Sequence, residues 1–419
     1  MTYSSVIFDM DYFSSHPEKE IRMLSDYIEE HDIHVAIVTN ENKPVYTKWM
    51  KKAPLCVDFI IGGGDLKYKR FRFHRKPEPN QMHVAAAHLG RVACEVLAVC
   101  TKDIDREAAE AASMPLLINP SPQELLSRLT AEPRQATAQR DLTGPVPTTG
   151  IYGAVCGDII GTPYEHRSGR MQNYGFEMFA PKSHASDDSI LTMAIARWLM
   201  NGRGMEELDR QLTLFANRHP KDGFGSGFLA WLNSGDHSPR VAGSNGSAMR
   251  VSPVGYAADT LEETLELARL QASLTHNDPD GIHGAQAVAA CVFLARTGKG
   301  KDEIKSYIEK QFGFDLGRTV DEIRKGYNPK DRIDCNCVRC AAEAIICWLQ
   351  SDTYEQTVRN AVSLGGDADT LAAMAGAIAA ATPGMEIPAD IAEKCFCYLP
   401  EDLKETLLDF EQWLLQYRH

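Results

Sequence analysis

Residues 364–370 read LGGDADT, two glycines, two carboxylates and a hydroxyl set just before the small-residue run LAAMAGAIAAA. Asp or Thr there can cap a helix, because a side-chain oxygen accepts an orphan backbone N–H. A second acidic cluster, SDDS at 186–189, precedes ILTMAIARWLM, and GDIIGTPYE at 157–165 adds Asp158 and Glu165. Taken singly each has an ordinary explanation: Ser186 or Asp187 as a cap, Asp158 as a loop residue, Glu165 as solvated surface. Together, SDDS and DADT supply four carboxylates and several hydroxyls at two expected helix starts, and converging carboxylates repel unless a proton or cation lies between them. Hard oxygen donors without His or Cys suit magnesium or calcium rather than zinc. Residues two apart aim at one centre only outside regular helix, and Gly365 and Gly366 permit such a turn.

GAVCGDIIGTPYE (153–165), ASDDSILTMAIA (185–196), GSNGSAMRVSPVG (243–255), SLTHNDPDGIHGAQAVAA (273–290) and NAVSLGGDADTLAAMAGAIAAA (360–381) occur in that order. They resemble the signature segments of the ADP-ribosylglycohydrolases, over roughly residues 149–395. The resemblance implies an all-α domain with a binuclear magnesium site that hydrolyses the bond joining ADP-ribose to a protein side chain or small acceptor. It implies Ser186, Asp187, Asp188, Asp367, Asp369 and Thr370 as metal ligands, with Asp369 bridging, and Glu165 as the residue that manages the proton; Asp187 and Asp369 are counted with Glu165 as catalytic. The family's first cluster is more often TDDT, and Ser186 and Ser189 stand here instead; a serine hydroxyl still binds a hard cation. The loop Gly243, Ser244, Asn245, Gly246 and Ser247 is expected to cradle the diphosphate through backbone N–H groups, with His276 near the phosphates and ribose. Phe224 and Phe228, four apart, read as core residues rather than an adenine clamp. CNCVRC (335–340) reads as reduced thiols, because a structural zinc normally takes four ligands and no second paired motif is evident.

Nearer the start, VIFDMDYF ends an apolar strand with Asp9 and Asp11, where open parallel sheets place reactive groups. With Thr39 in AIVTN, Lys76 in HRKPEPN and the segment VLAVCTKDIDREAAEAASM, this resembles the haloacid dehalogenase superfamily over about residues 4–125. The resemblance implies Asp9 as nucleophile, Asp11 as acid/base, Thr39 and Lys76 as phosphate holders and a magnesium ion held by the last motif. Where that motif usually carries Gly-Asp, Cys100 and Thr101 stand, leaving Asp103 and Asp105 as substitutes. Tyr12 and Phe13 replace the usual Gly-Thr, and a phosphatase activity is left open. The short span from Asp11 to Thr39 leaves no room for a large cap there.

The elements that must hold these residues differ in texture. Up to residue 128, short β-branched runs (VIFD, HVAIVT, DFII, VLAVC, PLLI) alternate with helical stretches, which predicts an α/β Rossmann-like parallel sheet covered on both faces. Residues 129–148 read as a linker, and 149–419 predict an all-α domain. The 419 residues and 44% hydrophobic content suffice for more than one core. A formal charge of -13 disfavours non-specific binding to nucleic acid or anionic lipid; the ADP-ribosylglycohydrolase resemblance implies an ADP-ribose-bearing substrate, such as an ADP-ribosylated protein, as the partner, with nucleic acid entering only as a modified substrate. No run approaches a membrane span, the start lacks a signal-peptide pattern, and a cytoplasmic location is expected. Eleven cysteines, among them Cys56, Cys156, Cys291 and Cys347 in apolar runs, read as buried reduced thiols. Two rivals remain: a phosphatase whose helical domain only positions substrate, and a non-catalytic ADP-ribose-binding or immunity-type module.

Overall fold

The computed structural model describes residues 2–63, 65, 76, 79–130, 146–165, 172–234, 236–328 and 333–417. Most of the expected linker lies outside the described residues. The chain divides into two compact units, Met1–Arg140 with Thr213–Asp236, and Asp141–Leu212 with His237–His419.

In the first unit five strands, β1 (Ser5–Phe8), β2 (His34–Val38), β3 (Phe59–Ile61), β4 (Leu97–Cys100) and β5 (Leu116–Ile118), form one sheet in the order β3-β2-β1-β4-β5. Every neighbouring pair is parallel. Side chains alternate across it. Ile7, Ala36, Val38 and Ala98 pack on one face with Met82, Ala85, Ala86, Ala108 and Ala109 of the helices Asn80–His88 and Asp103–Ala111. Val6, Phe8, Val35, Ile37 and Val99 pack on the other with Ile21, Leu24 and Ile28 of Glu18–Glu30 and Leu125 of Pro122–Leu126. Burial of both faces is why these strands read as unbroken apolar runs. The order reverses at β1, so the carboxyl ends of β1 and β4 frame the crevice in which such sheets seat their chemistry.

In the second unit no strand occurs among the described residues, only an isolated bridge between Ser244 and Asn336. Its centre is the packing of helix Tyr152–Glu165 on helix Ala368–Ala381. Gly153, Gly157 and Gly161 repeat at a spacing of four and so share one face. A Cβ at Gly157 would fall 2.1 Å from the Ala372 carbonyl oxygen, and one at Gly161 would fall 2.4 Å from the Asp369 Cα. Only hydrogen fits between these backbones. Pro163, inside the first helix, removes the N–H that the Ile159 carbonyl would otherwise accept; the Thr162 hydroxyl lies 3.0 Å from that carbonyl and 2.9 Å from the His184 carbonyl, so its one proton is shared between them. No helix among the described residues is long and apolar enough to cross a membrane.

All eleven cysteines are free thiols, and Cys156, Cys291 and Cys347 are buried. Cys56 is exposed, contrary to expectation; it lies in the connection between Met50 and Phe59, where its neighbours Leu55 and Val57 pack against the core and Cys56 between them faces solvent.

Candidate active site

Asp158, Asp188 and Asp369 each offer a carboxylate oxygen within 4.8 Å of the others, and all three residues are buried. Asp158 is not in a loop; it stands within helix Tyr152–Glu165 and is fully shielded from solvent. The glycine row that brings this helix against Ala368–Ala381 is what sets Asp158 beside Asp369. Asp158 also holds the third element. Ser186 donates its backbone N–H and hydroxyl to Asp158 at 2.9 and 2.6 Å, and Ser189 donates its N–H at 3.2 Å together with its hydroxyl. The Ser186 hydroxyl also accepts from Asp188 N at 3.2 Å, capping helix Asp187–Met200.

The DADT segment meets this start directly. Thr370 Oγ1 donates to Asp188 Oδ2 at 3.3 Å across 182 positions of chain, and Thr370 N donates to Asp369 Oδ1 at 2.9 Å. Asp367 stands at the N-cap of Ala368–Ala381 yet its carboxylate makes no capping bond, which sets aside the simplest reading of DADT. Gly365, at φ +80°, makes the turn that precedes it. The Asp188 carboxyl is pushed well above the usual carboxylate range, first by burial and then by the charges of Asp158, Asp187 and Asp367. Asp369 is raised the same way, by burial and then Glu165, Asp367, Asp188 and Asp158. Asp187, half-buried, feels Asp158, Glu165 and Asp367 after burial, so Glu165 belongs to the same electrostatic group. Buried Asp188 Oδ1 has no hydrogen-bond partner among the described residues. Three convergent acids and an oxygen without a donor fit a hard divalent cation.

Beside the acids, Asn245 Nδ2 donates to Asp367 Oδ2 at 2.7 Å. Asn245 N is held by the Cys335 carbonyl at 2.9 Å, and Cys337 N by the Gly243 carbonyl at 2.9 Å. CNCVRC is thus the strip against which the Gly/Ser loop lies. The Cys335 and Cys340 thiols are driven above their ordinary range by burial and then by Asp367. Gly243, Ser244 and Gly246 are half-buried, whereas Asn245 and Ser247 are buried; Ser247 Oγ donates to the Gly281 carbonyl at 2.7 Å. His276, also buried, has Nε2 3.1 Å from Ser244 Oγ. A Cβ at Gly246 would lie 2.8 Å from that nitrogen, so the missing side chain lets the ring reach the loop. Phe224 and Phe228 are buried and stacked, with centroids 5.4 Å apart.

In the first unit, Lys76 Nζ donates to Asp9 Oδ1 at 2.7 Å, to Asp105 Oδ1 and to the Val38 carbonyl at 3.2 Å. Thr101 Oγ1 donates to Asp9 Oδ2 at 2.9 Å. These groups gather at the β1/β4 crevice. Asp11 turns outward to pair with Lys102, and buried Thr39 accepts from Glu41 N at 3.2 Å. Asp103 is exposed and pairs with Arg106, leaving Asp105 as the buried acid of that segment.

A helical unit that closes buried carboxylates from distant stretches around one point, beside a Gly/Ser loop, defines an acid-centred ligand site. The chain matches the ADP-ribosylglycohydrolase family over residues 148–418 and belongs to that family. It is 26% identical over 329 residues to ADP-ribosylhydrolase ARH3 of Bos taurus, spanning 60% of this chain and 89% of that protein. ADP-ribosylarginine hydrolase Tri1 of Pseudomonas putida (strain GB-1) is 26% identical over 190 residues, 43% of this chain and 48% of that protein. A solved structure described as an ADP-ribosylglycohydrolase-related protein complex aligns with 62% of this chain and 95% of its own, at 22% identity and a TM-score of 0.46.

Sequence reasoning missed Asp158 as a member of the centre. The signal was present: an acid inside the apolar run VCGDIIG, next to a glycine of a four-residue repeat, cannot face solvent if the repeat faces a helix.

Proposed function

We propose that the helical domain, residues 149–419, hydrolyses the glycosidic bond between ADP-ribose and an acceptor with magnesium as cofactor, and that residues 129–148 link it to an accessory domain over 1–128. The observation that carries this reading is the convergence of Asp158, Asp188 and Asp369 in a chain of this family. Ser186, Asp187, Asp188, Asp367, Asp369 and Thr370 would hold two ions, joined by Asp158. Bound there, divalent ions supply charge that grips ribose hydroxyls and polarises a water as oxocarbenium-like charge builds at the sugar. Glu165, at the end of its helix and electrostatically tied to Asp187 and Asp369, moves the proton. Gly243, Ser244, Asn245, Gly246 and Ser247 bind the diphosphate and His276 orders that loop.

Incubating the protein with ADP-ribosylated serine, arginine and nucleotide substrates, in magnesium and in chelator, tests the reading. ADP-ribose is released in magnesium only, and Asp369→Asn abolishes release. Release unaffected by chelator and by that variant would refute the assignment.

The accessory domain is proposed to be haloacid dehalogenase-like and capless, on the strength of Asp9, Lys76, Thr101 and Asp105 meeting at the sheet's switch point. Lys76 already offsets one of the two charges of Asp9 and Asp105, which favours a degenerate site over a magnesium phosphatase; phosphate release sensitive to Asp9→Asn would reverse that preference.

A further inference from the structure

Arg250 is completely buried, and no carboxylate pairs with it among the described residues. Its Nε donates to Gln271 Oε1 at 2.9 Å, and Nη2 donates to the Gln271 carbonyl at 2.9 Å and to Thr275 Oγ1 at 2.8 Å. Nη1 has no acceptor among the described residues. Burial alone draws the guanidinium down to about 9. A buried, uncompensated cation lowers stability, so its presence calls for a role other than holding the core together.

The direction of the bonds supplies one. A guanidinium only donates, so Thr275 Oγ1 accepts from Arg250 and keeps its own proton to give. Thr275 is fully buried, and among the described residues the acceptor within reach of its hydroxyl is His276 Nδ1, at 2.9 Å. A buried hydroxyl without an acceptor is costly, so the proton goes to Nδ1. The ring is neutral, because burial and then Arg250 and Arg240 pull its pKa well below the ordinary histidine value. A neutral imidazole that accepts at Nδ1 carries its proton on Nε2. That N–H then donates to Ser244 Oγ at 3.1 Å, and the Ser244 proton, which has no acceptor among the described residues, is left for a ligand.

We propose that Arg250 and Thr275 are positioning residues that lock His276 as the Nε2–H tautomer and so commit the Ser244 hydroxyl to donate to an anionic oxygen of the ligand. In the opposite tautomer Ser244 would donate to the ring and turn lone pairs toward the phosphate. The ligand's identity as ADP-ribose rests on the function proposed above; the relay does not.

Histidine ¹⁵N spectra of the full-length protein, with His276 assigned by comparison with His276→Gln, read the tautomer directly. The expected pattern is a protonated Nε2 and an unprotonated, hydrogen-bonded Nδ1 in the wild type and in Thr275→Ser, lost in Thr275→Val. ADP-ribose affinity falls about tenfold in Thr275→Val and in Ser244→Ala, the size of one hydrogen bond to a charged group, and Thr275→Val has no further effect in the Ser244→Ala background. KM for an ADP-ribosylated substrate rises in step while kcat stays within about twofold, the mark of lost ground-state binding. A protonated Nδ1 in the wild type overturns the relay, as does equal binding by Thr275→Val and Thr275→Ser. Should Thr275→Val fail to fold, the spectra of the wild type and of Thr275→Ser decide. A wild type that shows the expected tautomer but binds no ADP-ribose removes the function proposed above and leaves the relay standing.

Discussion

Buried carboxylates raised above their ordinary range make the helical unit proton-hungry without a cation. The unfolded chain releases these protons near the ordinary aspartate value of about 3.9, whereas the folded protein, with Asp188 and Asp369 raised by burial and by their acidic neighbours, still holds them above it. Folded protein therefore binds more protons than unfolded protein across that interval, and stability falls as pH rises through it. In chelator, the urea midpoint is expected to be higher in mildly acidic buffer than at neutral pH. Asp188→Asn flattens this slope, and saturating magnesium does the same for the wild type. A slope identical in wild type and Asp188→Asn would show that the repulsion lies elsewhere. Asn245 acts one bond further out, fixing Asp367 Oδ2 through its amide. Asn245→Ala removes the shorter of the bonds to that oxygen, leaving the Cys335 thiol at 3.5 Å, so the apparent magnesium affinity drops about 10–100-fold, as for other residues that orient a ligand; a magnesium titration of thermal stability measures it.

Two helices and a glycine row decide whether those residues meet. Gly157→Ala inserts a methyl where the Ala372 carbonyl oxygen lies 2.1 Å from the Cβ position, so the backbones must part. Overpacking of this kind costs about 1–3 kcal/mol, but activity suffers more, because Asp158 and Asp369 ride on the two helices being separated. Gly204→Ala, with nothing within 4 Å of its Cβ, serves as the control and changes neither stability nor activity appreciably. Hydrolysis by Gly157→Ala at the wild-type rate would mean that the close approach is dispensable. The same row shows what the sequence discloses and what it withholds. β1, β2 and β4 were legible because both faces of the sheet's centre are buried and their runs are uninterrupted, the edge strands β3 and β5 only by their apolar run since they are partly exposed, and the acids of 186–188 and 367–370 were legible as clusters because unlike the surrounding apolar text they carry charge. Asp158 was not, since periodicity gives the face a residue shares but not the element that face meets. Thr275 and Arg250 were hidden for a related reason: a hydrogen-bond relay is a matter of angles between side chains 25 positions apart in sequence, and no spacing rule encodes it.

At the scale of the molecule, two units with cores of their own carry two clusters of charge resolved in opposite ways. In the helical unit Asp158, Asp188 and Asp369 converge, and Asp188 Oδ1 has no hydrogen-bond partner among the described residues; in the sheet unit Lys76 sits between Asp9 and Asp105 with its ammonium buried. One arrangement could hold a metal ion, and the other contains its own cation. Lys76→Met should therefore act as a stability lesion: it strands two buried carboxylates, and breaking a buried pair by removing one partner costs about 3–5 kcal/mol. Scanning calorimetry is expected to show the lesion in one transition, with magnesium and ADP-ribose raising the other, while ADP-ribose release by the folded Lys76→Met protein stays at the wild-type level. Asp369→Asn produces the converse, a transition that no longer responds to magnesium and a sheet unit that melts as before. A Lys76→Met protein that is as stable as the wild type but inactive would mean that the sheet unit's ion pair takes part in the hydrolysis and that the two clusters belong to one mechanism.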